Sequence, residues 1–108
     1  MKSEKEIQYD IQYVMDKIRD KSTPALRVKL SELTQVIRYV STNPYPEFVR
    51  QQLEMTETKI RKILEAGPKR EHYKFEEGYK KDMKKYEKDE GVDRLRKQKK
   101  TLEYILNL

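Results

Sequence analysis

Few side chains in this chain are of the types that perform catalysis or bind metal ions. Among its 108 residues there is no cysteine, and His72 is the one histidine. This excludes disulfides, thiol nucleophiles, cysteine-based zinc sites and His-pair metal sites. The three glycines are dispersed, so no glycine-rich phosphate loop is present, and the acidic residues lie in mixed-sign runs where local pairing explains them. We therefore expect no enzyme activity and no cofactor, and no small-molecule ligand is readable from the sequence.

Basic side chains are the other group with chemical potential, because they bind anions. The chain holds 25 Lys and Arg against 19 Asp and Glu, which gives a net charge of +6, and five of the basic residues fall between Arg94 and Lys100. A positive charge of this size attracts polyanions such as nucleic acid, but it also keeps a small domain soluble. Charge alone therefore does not separate a nucleic-acid-binding protein from an ordinary solvated surface.

Apolar residues at helical spacing predict the elements that must position these charges. A first helix is expected over roughly residues 4 to 20, opened by Ser3 and Glu6 as a capping box. Its apolar face consists of Ile7, Ile11, Val14, Met15 and Ile18. Thr23 before Pro24 is an N-cap followed by proline at the first helical position, which predicts the start of a second helix.

The second helix should end near Ser41, because Pro44 and Pro46 remove amide donors and force the residues before them into extended conformation. After this break, helical spacing resumes and stops at Gly67 and Pro68. Residues 69 to 91 are the least readable part. A short strand and turn near 70 to 80 compete there with a loosely patterned helix. A last helix follows, and its apolar residues are Val92, Leu95, Leu102, Ile105 and Leu106.

Residues 46 to 65 resemble the helix-turn-helix of DNA-binding proteins, and the resemblance extends over about residues 30 to 66. Thr56 stands where the second helix of the motif needs an N-cap. Two positions depart from the family pattern: Arg50 replaces a small residue, and Glu54 replaces the usual glycine of the turn. The five apolar positions of the motif are filled by Val49, Leu53, Met55, Ile60 and Ile63.

A single uninterrupted helix explains the same segment equally well. Spacings of four and three also place most of these residues on one stripe of a continuous bundle helix. That stripe consists of Val49, Leu53, Thr56, Ile60 and Ile63. Met55 discriminates between the two interpretations, since it is buried in the motif and flanks the stripe in the continuous helix.

The resemblance implies specific contacts with double-stranded DNA. A second helix that begins near Thr56 would lie in the major groove and present Thr58, Lys59, Arg61 and Lys62 outward. Arg61 would read a base edge, because a guanidinium matches the two acceptors of guanine, whereas the two lysines would contact phosphates. The resemblance therefore implies a non-enzymatic DNA-binding protein, a small transcriptional or mobile-element regulator that acts as a homodimer.

Two further basic regions acquire a role if the resemblance holds. Winged members of the family follow the recognition helix with a hairpin, from which Arg70 would touch backbone phosphates together with Lys69, Tyr73 and Lys74. In the last helix, Arg96, Lys97 and Lys100 lie opposite the apolar stripe. That basic face would contact phosphate, the apolar stripe would pair with a second chain, or the charges would simply be solvated.

The sequence as a whole predicts one mainly α-helical domain, 1–108, with four or five helices, a helix-turn-helix core and a short hairpin. Its segments are expected to be an N-terminal helix (1–22), a helix-turn-helix region (23–67), a wing or connecting segment (68–91) and a basic C-terminal helix (92–108). No apolar run has the length of a membrane span, and the first residues lack the pattern of a signal peptide, so we expect a cytoplasmic protein. The alternative function is protein–protein interaction by a helical bundle that binds no nucleic acid.

Overall fold

The computed structural model describes all 108 residues and consists of helices without strands. The mainly α-helical fold predicted from the sequence is therefore confirmed. No helix combines the length and apolarity needed to cross a membrane. The five α-helices are α1 (Glu4–Asp20), α2 (Pro24–Thr42), α3 (Pro46–Glu65), α4 (Glu76–Asp89) and α5 (Val92–Leu106), and a short 3₁₀ turn covers Arg70–His72.

The first two helices begin at the caps that the sequence indicates. The Ser3 side chain accepts a hydrogen bond from the backbone N–H of Glu6 at 3.3 Å, and the Thr23 side chain accepts one from Leu26 at 3.2 Å. Pro24 occupies the first turn of α2, where its missing N–H would be unpaired in any case. Because these signals act within one turn, both starting points could be predicted without knowledge of the fold.

The segment predicted to form the helix-turn-helix is instead a single helix. α3 runs without interruption through Glu54 and Met55, where the motif requires a turn. Met55 is 47% exposed, as the continuous helix predicts, whereas Leu53 and Thr56 are buried on one stripe. The Thr56 hydroxyl caps no second helix and donates to the carbonyl of Gln52, one turn earlier, at 2.8 Å. The physical reason is that no glycine is present to adopt the turn, while the helical spacing is unbroken.

The predicted hairpin near residues 70 to 80 is also absent. The 3₁₀ turn ends at His72, and Glu76 begins α4, which continues to Asp89. Tyr79, Met83 and Tyr86 are spaced four and three apart and are half-buried, so they form the inward stripe of this helix. The residues before Glu76 that were expected to form the strand lie instead in the 3₁₀ turn and the short connection to α4.

The chain divides into two compact units. The N-terminal unit comprises Met1–Arg50 and Glu103–Leu108, and the central unit comprises Gln51–Leu102. In the N-terminal unit α1 packs against α2, and the Lys2 backbone N–H donates to the Ile105 carbonyl at 2.6 Å. The buried apolar residues of this unit are Ile7, Val14, Leu33, Val36, Val40, Val49 and Ile105. Those of the central unit are Leu53, Val92 and Leu102.

These burials bear on the expectation that the apolar stripe of the last helix pairs with a second chain. Three residues of that stripe, Val92, Leu102 and Ile105, are at most 8% exposed within a single chain. A second chain is therefore not needed to cover them. Self-association stays a prediction from the sequence, and sedimentation over a range of concentrations tests it directly.

Candidate docking groove of the central unit

The central unit contains an open groove of about 670 Å³. Its apolar surface comes from Ile60, Leu64, Pro68, Tyr79 and Met83. Its charged surface comes from Glu57, Arg61, Glu65, Lys69, Arg70 and Lys99. More than half of the lining residues are thus charged, and we call this feature the basic-rimmed groove.

Helical periodicity explains how α3 and α4 supply two sides of the groove. Ile60 and Leu64 are four residues apart, as are Arg61 and Glu65, so each pair lies on adjacent turns of one face of α3. Tyr79 and Met83 bear the same relation on α4. Ile60, Leu64 and Met83 are all half-buried, which leaves part of each side chain accessible from the groove.

The end of α3 is held against α4 by Tyr86. Its hydroxyl donates to the carbonyl of Ile63 at 2.7 Å, and its ring lies so close to Gly67 that a Cβ on that glycine would be 2.5 Å from the ring edge. Only a residue without a side chain permits this approach. The contact fixes where the chain leaves α3, and hence where Pro68, Lys69 and Arg70 enter the groove.

A second aromatic contact fixes the connection that follows. The rings of Tyr73 and Tyr79 meet edge to face with their centroids 5.7 Å apart, and the Tyr73 hydroxyl donates to Asp82 at 2.7 Å. This hydrogen bond to a carboxylate raises the pKa of Tyr73 above its ordinary value. The Arg70 guanidinium donates to the Tyr73 carbonyl at 2.9 Å, so its side chain is held against the same connection.

The rim charges of the groove are only partly compensated. Arg61 lies 4.0 Å from Glu65, and Lys99 lies 3.9 Å from Glu57, so each carboxylate of the rim has a cation nearby. Lys69 and Arg70 have a different environment, because their side chains donate to backbone carbonyls, of Glu65 and Tyr73, and make no ion pair. The rim therefore carries two positive charges without a carboxylate partner.

The structure brings together two of the residues predicted to bind nucleic acid and leaves the others outside the groove. Arg61 and Arg70 both line it. Thr58 is half-buried, while the remaining lysines are exposed and take part in no ion pair; these are Lys59, Lys62, Lys97 and Lys100. The recognition surface expected on a second helix of the motif is not formed as such, since α3 has no turn before Thr58.

Arg96 has a role within the fold. Its two terminal nitrogens donate to the two carboxylate oxygens of Glu87, each at 3.1 Å, and Asp93 lies 3.7 Å away. The hydrogen bonds to Glu87 raise the pKa of Arg96. Such a bidentate pair links α4 to α5 and leaves this guanidinium less available to phosphate than the sequence suggested.

Sequence reasoning missed Tyr79 and Met83 as groove residues, and it treated Lys69 only as part of a wing. The four-three spacing of Tyr79, Met83 and Tyr86 was a usable signal for α4. Gly78 and the nearby Tyr73 obscured it, because an interrupted aromatic pattern fits a strand and a helix about equally.

The N-terminal unit has a separate polar cluster. Asp10 accepts hydrogen bonds from the Tyr104 hydroxyl and from Lys2 at 3.1 Å, and the Lys2 ammonium lies 3.9 Å from the centre of the Tyr104 ring. These donors lower the pKa of Asp10, while burial and the Asp10 charge raise that of Tyr104. A cavity of about 270 Å³ adjoins the cluster, and Lys29 also lines it.

No group of three or more His, Cys, Asp and Glu side chains is arranged to hold a metal ion. Comparison with known proteins gives no match: no family model, curated protein or solved structure aligns with this chain.

Proposed function

We propose that this protein is a non-enzymatic helical interaction module that binds another protein in the basic-rimmed groove of its central unit. The observation that carries the proposal is the composition of the groove. Half-buried Ile60, Leu64 and Met83 supply the apolar lining, which we call the floor, and six charged residues, which we call the rim, line the same groove.

This arrangement matches protein interfaces better than small-molecule sites. Ligand pockets are lined mainly by apolar side chains with a few precisely placed polar groups. Protein interfaces instead combine an apolar centre with a polar, solvent-accessible rim, and they are enriched in Met, Tyr and Arg. The groove has Met83, Tyr79, Arg61 and Arg70, and its charged residues other than Lys99 lie at exposed positions.

Site-specific photo-crosslinking in cells tests the proposal. A photoreactive residue at Arg61, on the groove, should crosslink to one protein, and Leu64→Asp in the floor should abolish that crosslink. The same probe at Lys59 is the matched control, because Lys59 is exposed on the same helix but does not line the groove. Equal crosslinking from both positions, or crosslinks insensitive to Leu64→Asp, would contradict docking in the groove.

Binding to nucleic acid is the second candidate function, and the distribution of charge favours it. The central unit holds sixteen basic and eleven acidic side chains, a net charge of +5, whereas the N-terminal unit holds nine and eight, a net charge of +1. Exposed lysines that make no ion pair, such as Lys59 and Lys97, suit contacts with phosphate. Binding to DNA duplexes across a salt series tests this candidate.

A further inference from the structure

We infer that the natural occupant of the basic-rimmed groove is an amphipathic helix of a partner protein whose apolar stripe is flanked by Asp or Glu. This inference rests on the proposed docking function and specifies the chemistry of the partner. It follows from three features of the groove: its aliphatic floor, the two uncompensated cations of its rim, and the lack of a series of aromatic side chains.

The floor of the groove suits the apolar stripe of a helix. Ile60 and Leu64 on α3 and Met83 on α4 present half-buried aliphatic surface from two helices. A groove bounded by helices accepts the side chains of a third helix at positions i, i+3, i+4 and i+7. Met83 adds adaptability, because its unbranched side chain adopts many shapes and fills irregular gaps.

The rim selects for negative charge on the partner. Glu57 and Glu65 already have Lys99 and Arg61 within 4.0 Å. Lys69 and Arg70 make no ion pair and are exposed, so carboxylates placed beside the partner's stripe would meet two uncompensated cations. An Arg guanidinium also offers paired donors that fit a carboxylate.

The same groove is poorly suited to nucleic acid. A floor of aliphatic side chains offers nothing to a duplex. Single strands bind on successive aromatic platforms, whereas Tyr79 is the one aromatic residue of this groove. These features favour an acidic protein segment over a polynucleotide.

The inference is tested with the full chain and three fluorescent peptides of roughly 18 residues, long enough to form a helix on binding. The first has a leucine stripe flanked by Glu, the second has the same stripe flanked by Lys, and the third has the Glu composition with the stripe scrambled. Fluorescence anisotropy should show the first peptide binding at least about tenfold tighter than either of the others. Amide chemical shifts around Ile60, Leu64 and Met83 should move only with the first peptide.

Charge-reversal variants distinguish binding in the groove from attraction by the net charge of the protein. The double variant Lys69→Glu/Arg70→Glu should weaken binding of the Glu-flanked peptide roughly tenfold. Lys59→Glu/Lys62→Glu is the matched control, since it changes the charge by the same amount outside the groove and should have little effect. Circular dichroism of both variants checks folding, and the chemical shifts of the unmodified chain give a readout that needs no substitution.

Each other outcome overturns the inference in a recognisable way. Equal binding of the Glu and Lys peptides in the groove would reject the acidic partner while leaving docking intact. An equal loss of affinity for the Glu-flanked peptide in both double variants would show that overall charge, and not the groove, governs binding. Crosslinks from Arg61 to a segment without Asp or Glu would also reject the acidic partner. If neither crosslinks nor peptide binding were observed, the docking function itself would be rejected. A DNA duplex that displaces the Glu peptide and moves the same amide shifts would replace the protein partner by nucleic acid.

Discussion

The ring of Tyr86 lies against Gly67, and this approach leaves no room for a side chain at the glycine. A Cβ there would be 2.5 and 2.8 Å from two ring carbons, while the Tyr86 hydroxyl is engaged with the Ile63 carbonyl. The contact joins α4 to the end of α3 and so determines where the chain that carries Lys69 and Arg70 begins. Gly67 is therefore required for close packing, in addition to ending the helix.

Gly67→Ala should destabilise the protein by about 1–3 kcal/mol, because the added methyl group forces the Tyr86 ring or the backbone to move. Gly78→Ala is the matched control, since its Cβ would meet the Tyr73 ring at an ordinary 3.6 Å and would favour the helical conformation of α4. It should stabilise by up to about 1 kcal/mol. Urea denaturation measures both values, and a neutral Gly67→Ala would show that the ring is not fixed in this position.

Because α3 is uninterrupted, introducing a glycine within it should lower the stability of the protein. Glu54→Gly places glycine in the interior of an exposed helix and should cost about 0.5–1 kcal/mol. In a helix-turn-helix, glycine at this position would have stabilised the turn. Met55→Ala should cost little, since the side chain is about half exposed. If Glu54→Gly instead stabilised the protein in thermal or urea unfolding, the result would favour a helix-turn-helix turn at this position.

The pair of Asp10 and Tyr104 should make stability fall at both ends of the pH range. The pKa of Asp10 is lowered from its ordinary 3.8 by hydrogen bonds from Tyr104 and Lys2, so its contribution is present above about pH 4 and is lost as the pH falls towards the lower folded value. The pKa of Tyr104 is raised from 10.0, so its contribution is present below about pH 10 and is lost as the pH rises above it.

Tyr104→Phe keeps the ring and removes the hydroxyl, and it should therefore weaken both the acid and the alkaline dependence of stability. Tyr9→Phe is the control, because the Tyr9 ring is 76% exposed and its hydroxyl makes no hydrogen bond in the structure. Urea unfolding at a series of pH values measures both dependences. Unchanged pH profiles in Tyr104→Phe would mean that the hydrogen bond to Asp10 contributes nothing in solution.

If the central unit binds DNA, the contacts should be to the backbone and should not discriminate sequence. Lys97→Ala and Arg61→Ala should each weaken binding to selected and scrambled duplexes alike. Each should also lower by about one the slope of the logarithm of the binding constant against the logarithm of the salt concentration. An Arg61→Ala loss of roughly 1–3 kcal/mol on one selected duplex alone would instead indicate base recognition. Absence of binding at physiological salt would remove nucleic acid as a partner.

Local signals were sufficient to predict several helix ends. The N-caps Ser3 and Thr23 and the pair Gly67 and Pro68 act through the backbone of one or two turns, so their effects are the same in any fold. The interior of α3 was different, since both interpretations bury Val49, Leu53, Ile60 and Ile63 and differ at Met55. The continuous backbone through Glu54 and the exposure of Met55 separate them.

The groove could not be predicted as a site because its parts are distant in sequence. Arg61 and Arg70 were identified as cations with a binding role, but their neighbours Tyr79, Met83 and Lys99 come from other helices. Periodicity shows which face of a helix is apolar and does not show which face it meets. The kind of partner inferred from the groove therefore could not be predicted from sequence patterns.

The sequence by itself determined the helical class, the starts of α1 and α2, and the positive charge, because these depend on residue type, spacing and contacts within a turn. Tertiary structure decided that Arg96 is engaged by Glu87, that Lys69 and Arg70 make no ion pair, and that an apolar floor lies beside them. The availability of a charge depends on which opposite charges the fold brings within a few ångströms, and that distance is set by the packing of residues far apart in the chain.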